Sequence, residues 1–431
     1  MYVFAVRLAL MSRQLSSQKV RPSMLAILLL ILLTGDTALL NGQNGETQQP
    51  VLAFTNPDQL QYRYDTNGEC RNAAGEKGTN ARLLGPCGDL TGANLKEFDL
   101  RGKDLTGALL RGTDLAGMRL EGSILKGADL TQANLADANL SGADLSGAVL
   151  AQARLLNTNL DKTNLTGADL RGAALHHLNL RATRLGSADL SKAKLFKVDL
   201  GGVDLRLVRL KGADIAWSKL NHANLSGVDL SGGWFDQSEL AGATLEKANL
   251  EYSKFVQADL SDANLAGARF YKAELSHAKF CKAHMEATDF SEANLVASDL
   301  SNGNLAQASL RGANLMNAIL RGGLLQGADL SGATLYGSDF QKADLRGANL
   351  LDGVLGEVGQ TLAVRALDIS FRTANMAGAL FDASTQLPFD AGEAASRKMV
   401  GMGVTKSSSK PNVKGNSPKK TIKAVPIQIG N

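Results

Sequence analysis

Apolar residues return in this chain at every fifth position. From Leu90 to Leu355 the fifth residue is always Leu, Ile, Phe or Met, through 54 periods without a slip. Two residues before each of these beats stands a small side chain, most often Ala, as in Ala128, Ala133, Ala138 and Ala143. One residue before it stands Asp or Asn in most periods, as in Asp129, Asn134, Asn139 and Asp144. Gly often follows two residues after the beat, as in Gly127, Gly142 and Gly147. A helix repeats its faces every 3.6 residues and a strand every 2, so neither produces a period of five. A fixed short repeat held this long predicts a solenoid, in which each unit buries its apolar side only against the units stacked on it.

The unit reads A(D/N)LxG, as in Ala-Asp-Leu-Ser-Gly at 143–147 and Ala-Asn-Leu-Ser-Gly at 223–227. It resembles the pentapeptide-repeat family over residues 90–355, with a recurrence at 364–383. The resemblance implies an all-β fold, a right-handed quadrilateral parallel β-helix. Four pentapeptides make one coil of twenty residues, the beat and the small residue two before it point inward, and the other three point out. Packing agrees with this assignment, because alternating large Leu and small Ala fill a narrow tube without voids. Gly suits turns that need a positive φ. With coils about 4.8 Å apart, as paired strands are, the repeats make a rod of roughly 65 Å.

The repeats set the domain boundaries. Residues 1–42 read as an export leader: Arg7, Arg13, Lys19 and Arg21 precede the apolar run from Met24 to Leu33, and Thr34-Gly35-Asp36 follows. That run is too short to span a membrane. An uncleaved anchor is the alternative, and would be the chain's one contact with a membrane. Residues 43–88 form a linker and an N-terminal cap with Cys70 and Cys87, 89–355 the β-helix, 356–402 a shifted final coil and a short helical cap, and 403–431 a tail. In the shifted coil, Ala366, Phe371, Met376 and Phe381 take the beat, with Ala374 and Ala379 in the small slots. From Leu355 to Phe371 is one residue more than three periods, which reads as a one-residue bulge or loop. A helix is expected at 390–400, because a solenoid end exposes backbone and core groups that need a cover. The tail holds six Lys with no periodicity and is expected to be disordered.

Charge narrows the function. Net charge is +4, yet residues 91–355 hold 28 Lys and Arg against 30 Asp and Glu, so the excess lies in the ends. In an exported protein, Cys70 and Cys87 read as a disulfide; two separate thiols are the reading for a cytosolic one. Such a bridge would close a loop of about seventeen residues, worth about 3 kcal/mol. Cys281 reads as an incidental surface thiol. The chain has no HExxH, CxxC, phosphate-binding glycine loop or GxSxG, and His176, His177, His222, His277 and His284 show no ligand spacing. No enzyme activity, cofactor or metal is therefore expected.

One feature exceeds the repeat. Residues twenty apart stack on one side of the rod, and the column just after the beat that contains Leu156, His176, Phe196, Val256, Val296, Met316 and Tyr336 is far more apolar than its neighbour. Trp217 and Trp234 fall beside it. An outward apolar line predicts a contact edge for a protein partner or a second copy. The expected function is a non-enzymatic scaffold or protein-binding rod in the periplasm or envelope of a bacterium. The alternative implied by the resemblance is a DNA-mimic protein that binds a topoisomerase. That role needs dense negative charge and a cytosolic address, and nucleic acid itself is not an expected partner.

Overall fold

The computed structural model describes residues 53–54, 63–64, 70–71, 80–81, 83–96, 98–353, 373–381 and 391–401. The leader 1–42 and the tail 403–431 lie outside these residues. Within the repeats, the residue before most beats bridges in parallel to the one twenty further on, as Asp129 to Val149 and Val149 to Asp169. One coil is thus twenty residues with four corners.

The period of five follows from where each backbone N–H finds an acceptor. In the pentapeptide around Leu130, the beat N–H donates to Val149 O of the next coil (2.7 Å) and Asp129 N–H to Ala108 O of the previous one (2.9 Å). Gln132 N–H donates to Ala151 O (2.9 Å), and Ala133 N–H closes the corner on Leu130 O (2.9 Å). That leaves the N–H just after the beat. Asp129 Oδ1 accepts it from Thr131 at 3.0 Å. The Asp or Asn of the repeat is therefore a local acceptor for a donor the ladder misses. Gln132, second after the beat, has φ 59°, as the corner turn requires. Many side chains accept this left-handed position, among them Lys162 (φ 57°) and Trp217 (φ 60°), so glycine is favoured there without being required.

Inward, the assignment of beat and small slot holds: Leu130, Leu140 and Leu155 are fully buried, as are Ala128 and Ala133. Phe beats pack on one another inside the tube. Phe235 stacks on Phe255 with ring centroids 4.5 Å apart, and Phe270 on Phe290 at 5.1 Å. Beyond residue 120 the ladder is interrupted at 159–179, 184–204 and 209–229. These three have a residue larger than Ala in the small slot of both coils: Thr158 and Leu178, Thr183 and Val203, Val208 and Val228. Size alone does not break the ladder, since Asn164 still bridges Arg184 beside Thr163 and Thr183. Leu178 over Val198 is accommodated, since Asn179 still bridges Asp199. The corners at Ala182 and Leu207 do not take the left-handed conformation, and Leu207 is left 75% exposed.

At the N-terminal end, strands β1 (Ala53–Phe54) and β5 (Leu83–Leu84) pair in parallel, as do β4 (Asn80–Ala81) and β6 (Gly88–Asp89). Strands β2 (Arg63–Tyr64) and β3 (Cys70–Arg71) are antiparallel. Cys70 and Cys87 are joined by a disulfide, with Cα atoms 5.8 Å apart. At the other end Asp344 bridges Asn375, and Asn349 bridges Leu380. Met376 and Ala379 are buried, as expected of a beat and a small slot. Thirty-one residues separate Asp344 from Asn375 where a coil has twenty. The excess is therefore eleven residues, two periods and one more, rather than a one-residue bulge on complete coils; it falls largely on 354–372, outside the described residues. Strand β7 (Leu380–Phe381) pairs with β8 (Val400–Gly401), and α1 (Ala391–Ser396) lies between them. This helix is shorter than 390–400 because the chain turns at Lys398 (φ 57°) to enter β8. Ala394 and Met399 join the core, so the segment covers the last coil.

Candidate interaction face

One side of the rod carries the column before the beat that runs Ala174, Lys194, Asp214, Trp234, Lys254 and Glu274, bridged at Ala174–Lys194, Lys194–Asp214, Asp214–Trp234, Trp234–Lys254 and Lys254–Glu274. The column after the beat on the same side contains the apolar line read from the sequence. The structure places Leu156, His176, Phe196, Val256, Val296, Met316 and Tyr336 there, all half-buried. Half-burial makes these side chains a floor of the face rather than groups that stand clear of it. Trp217 and Trp234 do stand clear, at 50% exposed each. They occupy adjacent coils, since Ile215 N–H donates to Trp234 O at 2.6 Å and Trp217 N–H to Asp236 O at 2.9 Å. No ring contact joins the two indoles; Trp217 occupies the corner and Trp234 the flat of the face.

Aromatic groups on this side are dressed by cations. Lys254 Nζ sits 4.7 Å from the Trp234 ring centroid and Lys197 Nζ 5.2 Å from that of Phe196. Phe196 meets His176 and His177 edge-on at 6.2 and 6.1 Å. Burial holds the His176 imidazole below its ordinary pKa, helped by His177 and Lys194, and its buried Nδ1 has no hydrogen-bond partner. Tyr252 and Tyr271, at the near corner, meet edge-on at 5.7 Å, and Tyr252 is 58% exposed. The apolar column did not reveal them. The signal lay in the corner slot, where Tyr252 ends the pentapeptide before that of Lys254.

At Lys254, which replaces the Asp or Asn of this column, the acceptor comes from another coil. Lys254 cannot cap the N–H of Val256, and Asp236 Oδ1 accepts it instead at 2.8 Å. Elsewhere charge is balanced locally. Arg111 pairs with Asp129, Arg171 with Asp169 and Arg209 with Asp189. Cys281 donates to Asp299 Oδ2 at 3.0 Å, and burial and that carboxylate push its thiol pKa up, against the character of a reactive thiol. Among the described residues no group of three or more His, Cys, Asp or Glu is placed to hold a metal ion, and no helix is long and apolar enough to cross a membrane.

Comparison with known proteins gives the same picture of the repeats. The family model for pentapeptide repeats matches eight times, at residues 89–127, 128–167, 150–186, 188–227, 223–262, 255–286, 288–325 and 313–350. HetL, a pentapeptide repeat protein involved in heterocyst differentiation regulation in the cyanobacterium Nostoc sp. strain PCC 7120, is 32% identical over 54% of this chain and 90% of its own, with a TM-score of 0.20. A second pentapeptide repeat protein from Nostoc PCC 7120 is 31% identical over 26% of this chain and 84% of its own, with a TM-score of 0.22. A trypsin-treated variant of QnrB1, a plasmid-mediated fluoroquinolone resistance protein, is 19% identical over 43% of this chain and 83% of its own, with a TM-score of 0.32. No curated protein sequence matches the chain.

Proposed function

The chain belongs to the pentapeptide-repeat family, whose members fold as right-handed quadrilateral β-helices, and from that premise we propose that it is an exported, non-catalytic bacterial rod that docks another protein on its tryptophan-bearing face. The observation that carries this reading is the pair of half-exposed indoles on a half-buried apolar floor, in a rod whose other large side chains are mostly sealed inside. Exposed Trp and Tyr on a flat apolar base are the side chains that dominate binding energy at protein interfaces. Export is supported by the basic leader with its short apolar run and by the Cys70–Cys87 bridge, since disulfides persist in oxidising compartments.

The DNA-mimic alternative calls for rows of uncompensated carboxylates. Here the Asp column at 129, 169, 189 and 229 is matched by Arg111, Arg171, Arg209 and Lys211. The test is cross-linking capture from the native envelope with the wild type and with Trp217→Glu/Trp234→Glu. The double variant should keep the circular dichroism of the wild type and lose its captured protein. Unchanged capture would remove the face from the account.

A further inference from the structure

We propose that the tryptophan face closes on a second copy of this chain, antiparallel, with the two-fold axis crossing the rod at Trp234; this rests on the reading of that face as a docking surface. The column before the beat reads Lys194, Asp214, Trp234, Lys254, Glu274. One coil to either side of Trp234 the charges are opposite, and two coils to either side they are opposite again. A two-fold axis lying in the face and perpendicular to the rod reverses the column while keeping each column opposite itself. It sets Trp234 on Trp234 of the second copy, Lys254 against Asp214 and Glu274 against Lys194. Because such an interface is isologous, each of those ion pairs forms twice.

Lys254 Nζ rests over the Trp234 ring at the axis, and no carboxylate among the described residues holds it. None of the four charged groups forms an ion pair among the described residues, although Lys194 and Asp214 are bridge partners in adjacent coils, as are Lys254 and Glu274. Comparable neighbours elsewhere do close, as Arg209 with Asp189 at 3.4 Å and Lys272 with Glu292 at 3.3 Å. Asp214 spends one oxygen on the N–H of Ala216 at 3.2 Å, and Glu274 one on Asn294 at 2.9 Å, which leaves each with a second.

The flanking columns complement each other in size about the same axis. Ala216 meets Val256, Ser276 meets Phe196, and Ala136 meets Tyr336. At the near corner Tyr252 meets Gly212, which offers no side chain to obstruct it. Two like-charge juxtapositions oppose this. Asp236 meets itself on the axis, half-buried and bonded to Val256 N–H, and Lys192 meets Lys272, whose ammonium is held by Glu292. A face of three extended residues is about 10 Å wide, and about 65 Å of coils gives an area near the ~800 Å² per partner of a standard interface once corner side chains are added.

Sedimentation equilibrium of the full chain tests this with Trp234→Glu, Lys254→Asp and the swap Asp214→Lys/Lys254→Asp. Asp is the common residue of this slot and Lys stands there at 194, so the fold should persist, which circular dichroism checks. The wild type should dimerise, more weakly as salt rises. Lys254→Asp sets two carboxylates together and should weaken the dimer at least about tenfold, and the swap should restore it to within about threefold. A dimer indifferent to Trp234→Glu, or not restored by the swap, overturns the proposal. So does a wild type that stays monomeric; if Trp217→Glu/Trp234→Glu still abolishes capture of another protein, the docking reading survives without the dimer.

Discussion

A β-carbon on Gly233 would stand 2.8 Å from Cε2 of Phe235 and 3.0 Å from the carbonyl oxygen of Leu230. The ring of Phe235 occupies the space that Ala fills in most periods, and Gly in the small slot is what admits it. Gly233→Ala should therefore lower the urea midpoint by an amount corresponding to about 1–3 kcal/mol, as overpacked cores do. Phe235→Leu in the same chain should recover most of the loss. An additive double variant would show that the two positions do not share the space.

Acid should loosen the rod through its Asp columns. The Arg171 guanidinium holds the Asp169 carboxyl below the usual range against the opposing effect of burial, and Arg346 does the same for Asp344. A carboxyl whose pKa is lower in the folded state stabilises the fold above its unfolded value, near 3.8, and that stability is lost as pH falls through the folded value. The urea midpoint should be flat from neutral pH down to about pH 5 and fall below about pH 4. Each pair contributes little on its own, because the Arg partners are exposed. Asp169→Asn/Asp344→Asn should blunt the fall, and a wild type whose midpoint rises in acid would contradict the pairing.

The Cys70–Cys87 bridge spans seventeen residues and anchors the first coil, where Cys87 N–H donates to Thr106 O at 2.8 Å. Stability in a solenoid passes between neighbouring coils. Cys70→Ser should cost about 3 kcal/mol locally on the loop-closure argument. Hydrogen exchange should rise at Leu90 and Leu95 and stay unchanged near Leu310. Equal loss of protection at both ends would mean that the cap does not act locally.

Leu130 and Ala128 could be placed inward from sequence because a period of five with a large and a small residue leaves a narrow tube one way to pack. The bridge between Cys70 and Cys87 was legible because two cysteines in a cap that follows an export leader read as a disulfide. Less legible was the half-burial of Phe196 and Val256. It depends on what lies a coil above and below, at a separation of twenty, and not on the local unit. The Asx role of Asp129 was hidden for a related reason: it appears only once the other four N–H groups are assigned. The excess at 354–372 shifts the phase by one residue, so a one-residue bulge and an eleven-residue excess look alike in the periodicity. Only the bridge from Asp344 to Asn375 separates them.

Position within the period decides which side chains a partner can reach and which are sealed. Arg154 and Leu155 are adjacent in sequence, the first exposed and the second fully buried. Asp introduced at each gives the most direct measurement, read as the urea midpoint by circular dichroism. Arg154→Asp places the common residue of its slot outward and should change stability by less than about 0.5 kcal/mol. Leu155→Asp places an unpaired carboxyl in the tube and should cost several kcal/mol or unfold the neighbouring coils. Two variants that unfold at the same midpoint would contradict the inward and outward assignment, and with it the face.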